Sequence, residues 1–135
     1  MNLFELCEKY GTDKVYRSAT HNISYPEIYE EIIKTRFGVD SNINVLEIGV
    51  REGPFIKSLH DFLPNANLYG VDINKPPQSV LDLDRFCFVR GDATDENTLT
   101  KLLGECSGFD LIIDDASHLI KDFISTYSFM LPYLN

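Results

Sequence analysis

A chain of 135 residues, 44% hydrophobic and 24% charged, has the makeup of one ordinary globular domain with room for a real core. Its formal charge of −9 argues against a nucleic-acid partner, because phosphate contacts need a basic footprint and the twelve Lys and Arg are scattered. No apolar run nears the roughly 18 residues of a membrane span, so no membrane association is expected. Cys7, Cys87 and Cys106, odd in number and without C-x-x-C spacing, read as free buried thiols of a cytoplasmic protein.

Leu3, Leu6, Cys7 and Tyr10 recur at helical spacing, so residues 2–10 are expected to form a short amphipathic helix stopped by Gly11. Glu5 and Glu8 within it are out of place in a secretion signal. Gly11-Thr12-Asp13-Lys14 opens a polar loop that runs through His21 to Tyr25. Pro26 starts a second helix with Ile28, Tyr29, Ile32 and Ile33 facing inward, and Gly38 ends it. Residues 1–40 are therefore expected to form a helical cap and 41–135 the core, in a single compact domain.

From residue 43 the rhythm changes to strand, helix, strand, helix. Strands are expected at 43–48, 67–73, 86–90 and 109–115, and helices at 54–63, 95–103 and 119–134. Pro76-Pro77 leaves room only for a weak helical turn before Arg85. Such alternation implies an α/β fold with a parallel sheet and right-handed crossovers. By this pattern a further strand belongs after the last helix and is not in the sequence. The fourth strand then becomes an apolar edge, open to a partner chain or to a second copy in a homo-oligomer.

All four strands end in acid: Glu47, Asp72, Asp92 and the pair Asp114-Asp115. In a parallel sheet the carboxyl ends of the strands form the ligand crevice, so these acids are expected to line one site. Any one of them alone suits a helix cap or the surface equally well. The run Asn44-Val45-Leu46-Glu47-Ile48-Gly49-Val50-Arg51-Glu52-Gly53 leads into a helix at Pro54, where backbone and helix N-terminus can approach a nucleotide-like ligand. Gly49 and Gly53 also suit a turn that needs glycine for its own geometry. Asp72, 23 residues past Gly49, stands where an acid takes both hydroxyls of a ribose.

With Phe109-Asp110-Leu111-Ile112-Ile113-Asp114-Asp115-Ala116-Ser117-His118 added, the motifs V-L-E-I-G-V-R-E-G, Y-G-V-D-I, V-R-G-D-A and F-D-L-I-I-D-D-A-S-H stand in a familiar order. Over nearly its whole length the chain resembles class I S-adenosylmethionine-dependent methyltransferases. Y-G-T-D-K near the start and I-I-D-D-x-S-H are similar, more narrowly, to the metal-dependent sugar O-methyltransferases of macrolide pathways, with cephalosporin hydroxylase-like proteins as close relatives.

The resemblance implies a Rossmann-like class I methyltransferase sheet in the order 3-2-1-4, incomplete at its C-terminal side. It implies S-adenosylmethionine as cofactor, its methionine part held by Glu47, Gly49 and Gly53, its ribose by Asp72, and its adenine edge by Asp92 and the Ala93 backbone. Asp114 is grouped with these, and Thr12 and Lys14, beside His21 and Tyr25, would close over the cofactor, unless they form an ordinary polar loop. It further implies magnesium with Asp115 as a ligand, and His118 as the general base for a hydroxyl of a sugar or small-molecule acceptor. A hard cation wants carboxylate oxygens, and a histidine nearby can take a proton near neutrality. His118 also suits a helix cap or an exposed position, and His60 falls on the polar side of its helix.

Two departures stand out. Arg51 replaces the middle glycine of the usual E-x-G-x-G-x-G loop, which is tolerable if its side chain points to solvent. The branch's adjacent Glu-Asp pair, which completes the metal site, lies beyond residue 135, so the site is incomplete in this chain. Two other functions compete: a non-catalytic methyltransferase-like domain acting as an interaction module, and a nicotinamide-dependent oxidoreductase. The latter would share the ribose acid, but G-x-x-x-G departs from G-x-G-x-x-G and no hydride-transfer constellation accompanies it.

Overall fold

The computed structural model of the chain describes residues 1–16, 24–115 and 134–135. In order, these form α1 (Leu3–Tyr10), a 3₁₀ turn (Asp13–Val15), α2 (Tyr25–Arg36), β1 (Asn44–Ile48), α3 (Pro54–Phe62), β2 (Asn67–Asp72), α4 (Gln78–Leu81), β3 (Phe86–Arg90), α5 (Glu96–Leu103) and β4 (Leu111–Asp114). The expected helix over 119–134 lies outside the described residues except for Leu134, and His21 and His118 lie outside them too.

Local chemistry sets the element ends. The Asn2 side chain accepts the Glu5 N–H at 2.8 Å, and left-handed Gly11 closes α1 by donating to the Cys7 carbonyl. Asp95 caps α5 by accepting the Asn97 N–H at 2.9 Å, so this acid stands just outside the helix rather than in its first turn. β2 ends at Asp72, one residue earlier than its apolar pattern implies, and leaves Ile73 60% exposed.

The sheet is parallel in the order β3-β2-β1-β4, as the alternation of strands and helices implies. Its pleat sends alternate side chains to two cores. Val45, Leu68 and Ile113 join Leu3, Cys7, Ile33, Phe55 and Leu59 on the face covered by α1, α2 and α3. Leu46, Ile48, Tyr69 and Val71 join Leu99, Leu102 and Phe109 on the face covered by α5. Each such side chain, fully buried, contributes roughly 1.5–3 kcal/mol. Cys7, Cys87 and Cys106 are free, and burial pushes the Cys7 thiol up to about 11, as suits a packing residue.

Two expectations need correction. Ile28 is 37% exposed, because Pro26 and Ile33 take the inward positions of α2 while Tyr29 and Ile32 are half-buried. The second concerns Leu134, which forms a parallel bridge with Phe109 just before β4, where the Asn135 N–H donates to the Phe109 carbonyl at 2.7 Å, while β4 stays the outermost strand among the described residues. Leu134 is thus extended where the apolar spacing implies helix. The Asp110 carboxylate ties this end down, accepting from the Asn44 N–H at 2.8 Å and the Asn135 side-chain amide at 3.1 Å.

The loop after β1 is held by a glycine for a packing reason. Gly53 has φ +82°, and a Cβ there would lie 2.7 Å from a methyl of Val80 in α4. Replacing Gly53 by Ala is expected to cost about 2–4 kcal/mol, from the left-handed backbone and the clash together. G53A/V80A should then be less destabilised than the sum of the two single changes, measured by chemical denaturation; strictly additive costs would show that Val80 is not the obstacle.

Candidate functional site

Parallel register carries the strand ends to one edge. Ile48 lies between Val71 and Asp114, and Asp72 lies opposite Arg90. Backbone bonds continue the ladders into the loops: Gly49 N–H to Val71 at 2.9 Å, Gly91 N–H to Asp72 at 2.9 Å, and Asp115 N–H to Ile48 at 2.8 Å. Gly49, Asp72, the Gly91-Asp92 turn and Asp115 therefore share the edge that the sequence reserves for a ligand. The pleat then sorts the acids. Glu47 follows Val45, Asp115 follows Ile113 and Asp72 follows Leu68 toward the α3 side, whereas Asp114 falls with Ile112 toward the α5 side.

A lysine completes the α3-side group. The Lys14 ammonium donates to Glu47 Oε2 at 2.8 Å and to Asp115 Oδ2 at 3.0 Å, and it lies 4.6 Å from the centroid of the Phe55 ring. Lys14 is 8% and Glu47 1% exposed, so this ion pair is a buried one. The 3₁₀ turn delivers it: Thr12, also buried, caps the turn by accepting the Lys14 N–H at 3.3 Å. Beside it, Asp13 reaches the exposed Arg51 guanidinium at 3.7 Å.

Arg51 has φ +55°, and its side chain is solvent-exposed, so the loop tolerates it at the cost of a left-handed backbone. The Arg51 N–H donates to Asp72 Oδ2 at 2.7 Å, and the Asn74 N–H donates to Asp72 Oδ1 at 3.1 Å. Asp72 is thus oriented by two backbone donors, and each oxygen keeps a second lone pair for a ligand hydroxyl. Asp92 accepts from the Thr94 N–H at 2.8 Å and the Thr94 hydroxyl at 2.7 Å, bonds that hold its carboxyl below the usual range. Asp92 is exposed and Ala93 half-buried.

Glu47 and Lys14 respond differently to burial. Desolvation dominates at Glu47 and lifts it to about 7 against the pull of Lys14, with Asp115 and Asp72 adding repulsion. For Lys14 burial alone would lower the pKa, but two carboxylates outweigh it and leave the ammonium raised. Glu47 Oε1 is the buried side-chain polar atom left without a partner among the described residues. Tyr29, whose ring packs 5.7 Å from Phe55, is pushed up to about 12 chiefly by burial, so its hydroxyl stays protonated.

Among the described residues, no three of His, Cys, Asp and Glu are arranged to hold a metal ion. Asp115, the expected ligand, gives one oxygen to Lys14. This set does not fit a divalent cation by itself. Phe55, the Arg51 N–H and Tyr29 escape a reading of the sequence, because each looks like ordinary core or loop; only the aromatic at the helix start, directly after Gly53-Pro54, gives any signal.

The raised Glu47 carries a sign for stability. Between pH 4.5 and about 7 the folded chain keeps a proton that the unfolded chain releases, so stability is full at low pH and falls as pH rises through the folded pKa. The slope reaches at most about 1.4 kcal/mol per pH unit. Denaturation midpoints of the wild type and E47Q should diverge across this window and run parallel outside it; parallel curves throughout would place the carboxyl back in the ordinary range.

Comparison with known proteins bears on this edge. The chain is 28% identical over 102 residues to mycinamicin VI 2''-O-methyltransferase of Micromonospora griseorubida, covering 70% of this chain and 25% of that protein. It is 31% identical over 84 residues to 8-demethyl-8-(2-methoxy-alpha-L-rhamnosyl)-tetracenomycin-C 3'-O-methyltransferase of Streptomyces olivaceus, covering 57% and 21%. The chain thus spans about a quarter of the length of the curated relatives it matches. The MycE methyltransferase, solved with Mg, S-adenosylhomocysteine (SAH) and mycinamycin VI, superposes with a TM-score of 0.82 at 25% identity, covering 100% of this chain and 35% of that one. Residues 30–131, well over half of the chain, match the family model, and the protein belongs to the FtsJ-like methyltransferase family.

Proposed function

We propose that this chain forms the cofactor-binding part of an S-adenosylmethionine-dependent methyltransferase that methylates a hydroxyl of a sugar on a natural product. The observation that carries the reading is the charge of the strand-end edge. Among the described residues, Glu47, Asp72 and Asp115 fall on one face, with the Lys14 ammonium paired to Glu47 and Asp115. A net negative site suits a ligand bearing a sulfonium and an α-ammonium, and it repels the pyrophosphate of a dinucleotide. The relatives named for O-methylation of sugar moieties support the acceptor class. A formal charge of −9 supports a small acceptor over RNA. Three free thiols support a reducing, cytoplasmic setting, and no described helix is long and apolar enough to cross a membrane.

In this reading Asp72, oriented by the Arg51 and Asn74 N–H groups, receives the ribose hydroxyls. Glu47 Oε1, the orphan acceptor, receives the ammonium of the methionine part beside Gly49, while Asp92 and Ala93 border the adenine. The bound cofactor supplies an activated methyl group; the chain's task is to hold a nucleophile in line with it, and such positioning accounts for much of the rate in displacements of this kind. His118, three residues past Asp115 in sequence, is the expected base. Magnesium accompanies SAH in MycE, and Asp115 is the residue here that would contribute to a shared cation. The described residues do not complete that site.

Calorimetric titration separates the readings. SAH should bind and NAD should not; failure of SAH to bind at millimolar concentration would remove the methyltransferase assignment for this chain. D72A should weaken SAH by about 1–3 kcal/mol, the loss of hydrogen bonds to a charged acceptor. An unchanged affinity would move the ribose site elsewhere.

A further inference from the structure

Lys14 stands at the edge, and its contacts with described residues leave it little to offer a ligand. An ammonium has three N–H donors. Two are spent on Glu47 Oε2 at 2.8 Å and Asp115 Oδ2 at 3.0 Å, and the Phe55 ring, 4.6 Å away at its centroid, takes the remaining side. At 8% exposure the side chain has little open surface to offer a cofactor. The backbone that carries it is anchored on both sides. Left-handed Gly11 ends α1, whose Leu3, Leu6 and Cys7 are buried with Phe55 and Leu59 of α3, and Thr12 caps the 3₁₀ turn.

What Lys14 does fix is the relation between two neighbouring strands. Glu47 lies within β1 and Asp115 directly follows β4, and one ammonium holds an oxygen of each. With Oε2 tied down, the Glu47 carboxylate cannot rotate without breaking a buried charge-assisted bond, so Oε1 is presented in one orientation. We propose that Lys14 is a positioning residue: anchored on Asp115, it sets the Glu47 carboxylate for the ligand and does not touch the cofactor itself. This role rests on the methyltransferase reading above for the identity of the ligand, and on the clamp geometry for its mechanism.

A double-mutant cycle on SAH affinity tests it with the whole 135-residue chain. K14M and E47Q should each weaken SAH binding by about tenfold, whereas K14M/E47Q should bind within about threefold of E47Q, because Lys14 acts through Glu47. The double variant removes both charges at similar volume and is expected to recover most of the thermal stability that K14M loses. If K14M is too unstable to titrate, K14R serves in its place, keeping the charge while shifting the donors; it should weaken SAH in the wild-type background and not in E47Q. Equal losses in both backgrounds would mean that Lys14 contacts the ligand and would overturn the role. Wild-type affinity in a destabilised K14M would overturn it too, leaving Lys14 a stabilising residue only. Absence of SAH binding by the wild type would instead sink the functional reading, and this role with it.

Discussion

A cation buried at the end of a parallel sheet has to be matched there, and matching it draws three distant segments together. Lys14 lies 33 residues from Glu47 and 101 from Asp115 in sequence, yet one ammonium serves both carboxylates. Taking these charges out of water is costly, and the cost is offset only when the geometry is good on every side. Here the two short hydrogen bonds and the Phe55 ring provide it. Removing Lys14 would leave the Glu47 carboxylate buried without its cation, so the N-terminal turn, β1 and the end of β4 are joined through one side chain. The helices before β1 therefore do more than cover apolar surface: α1 seats the turn, and the turn delivers the cation.

The same constraint explains why Glu47 differs from the other strand-end acids. Asp72 and Asp92 accept hydrogen bonds from backbone N–H donors of their own loops, a local device that any turn can supply. Glu47 sits one residue earlier, inside the strand, where the backbone is fully used by the ladders to β2 and β4. Its side chain must find a partner in the α3-side core, and Lys14 satisfies only one of its oxygens. A carboxyl so placed is poised between protonation and a second cationic partner, which is a strange condition for a structural residue and a useful one for a binding residue.

Much of this was legible in the sequence, for identifiable reasons. Strand order and the sharing of one edge by Asp72, Asp92 and Asp115 follow from alternating strand and helix patterns, since parallel connection leaves few topologies. Gly53 was legible as a special position, but the close approach it permits is by Val80 rather than only by a ligand, and no local pattern tells these apart. Ile28 misled because an i, i+4 apolar spacing marks a face without saying what covers it. Leu134 misled because an apolar residue suits a helix or an edge strand equally, and only the pairing with Phe109 decides. The partnership of Lys14 with Glu47 and Asp115 has no sequence signature at all, because contact across such separations is fixed by the fold.

Charge also bears on how this edge sorts ligands. The loop after β1 ends at a helix N-terminus, the usual place for a phosphate. In this chain that place is flanked by Glu47, Asp72 and Asp115, with Lys14 already committed to two of them and Arg51 pointing to solvent beside Asp13. The helix dipole, equivalent to about half a charge, does not reverse the field of three carboxylates partly shielded from water. Among the described residues, a polyanionic ligand would meet repulsion from these carboxylates, while a ligand with a positive centre gains from the same field. The loop thus keeps the backbone form of a nucleotide-binding turn, and the side chains around it change the charge of the ligand that can use it.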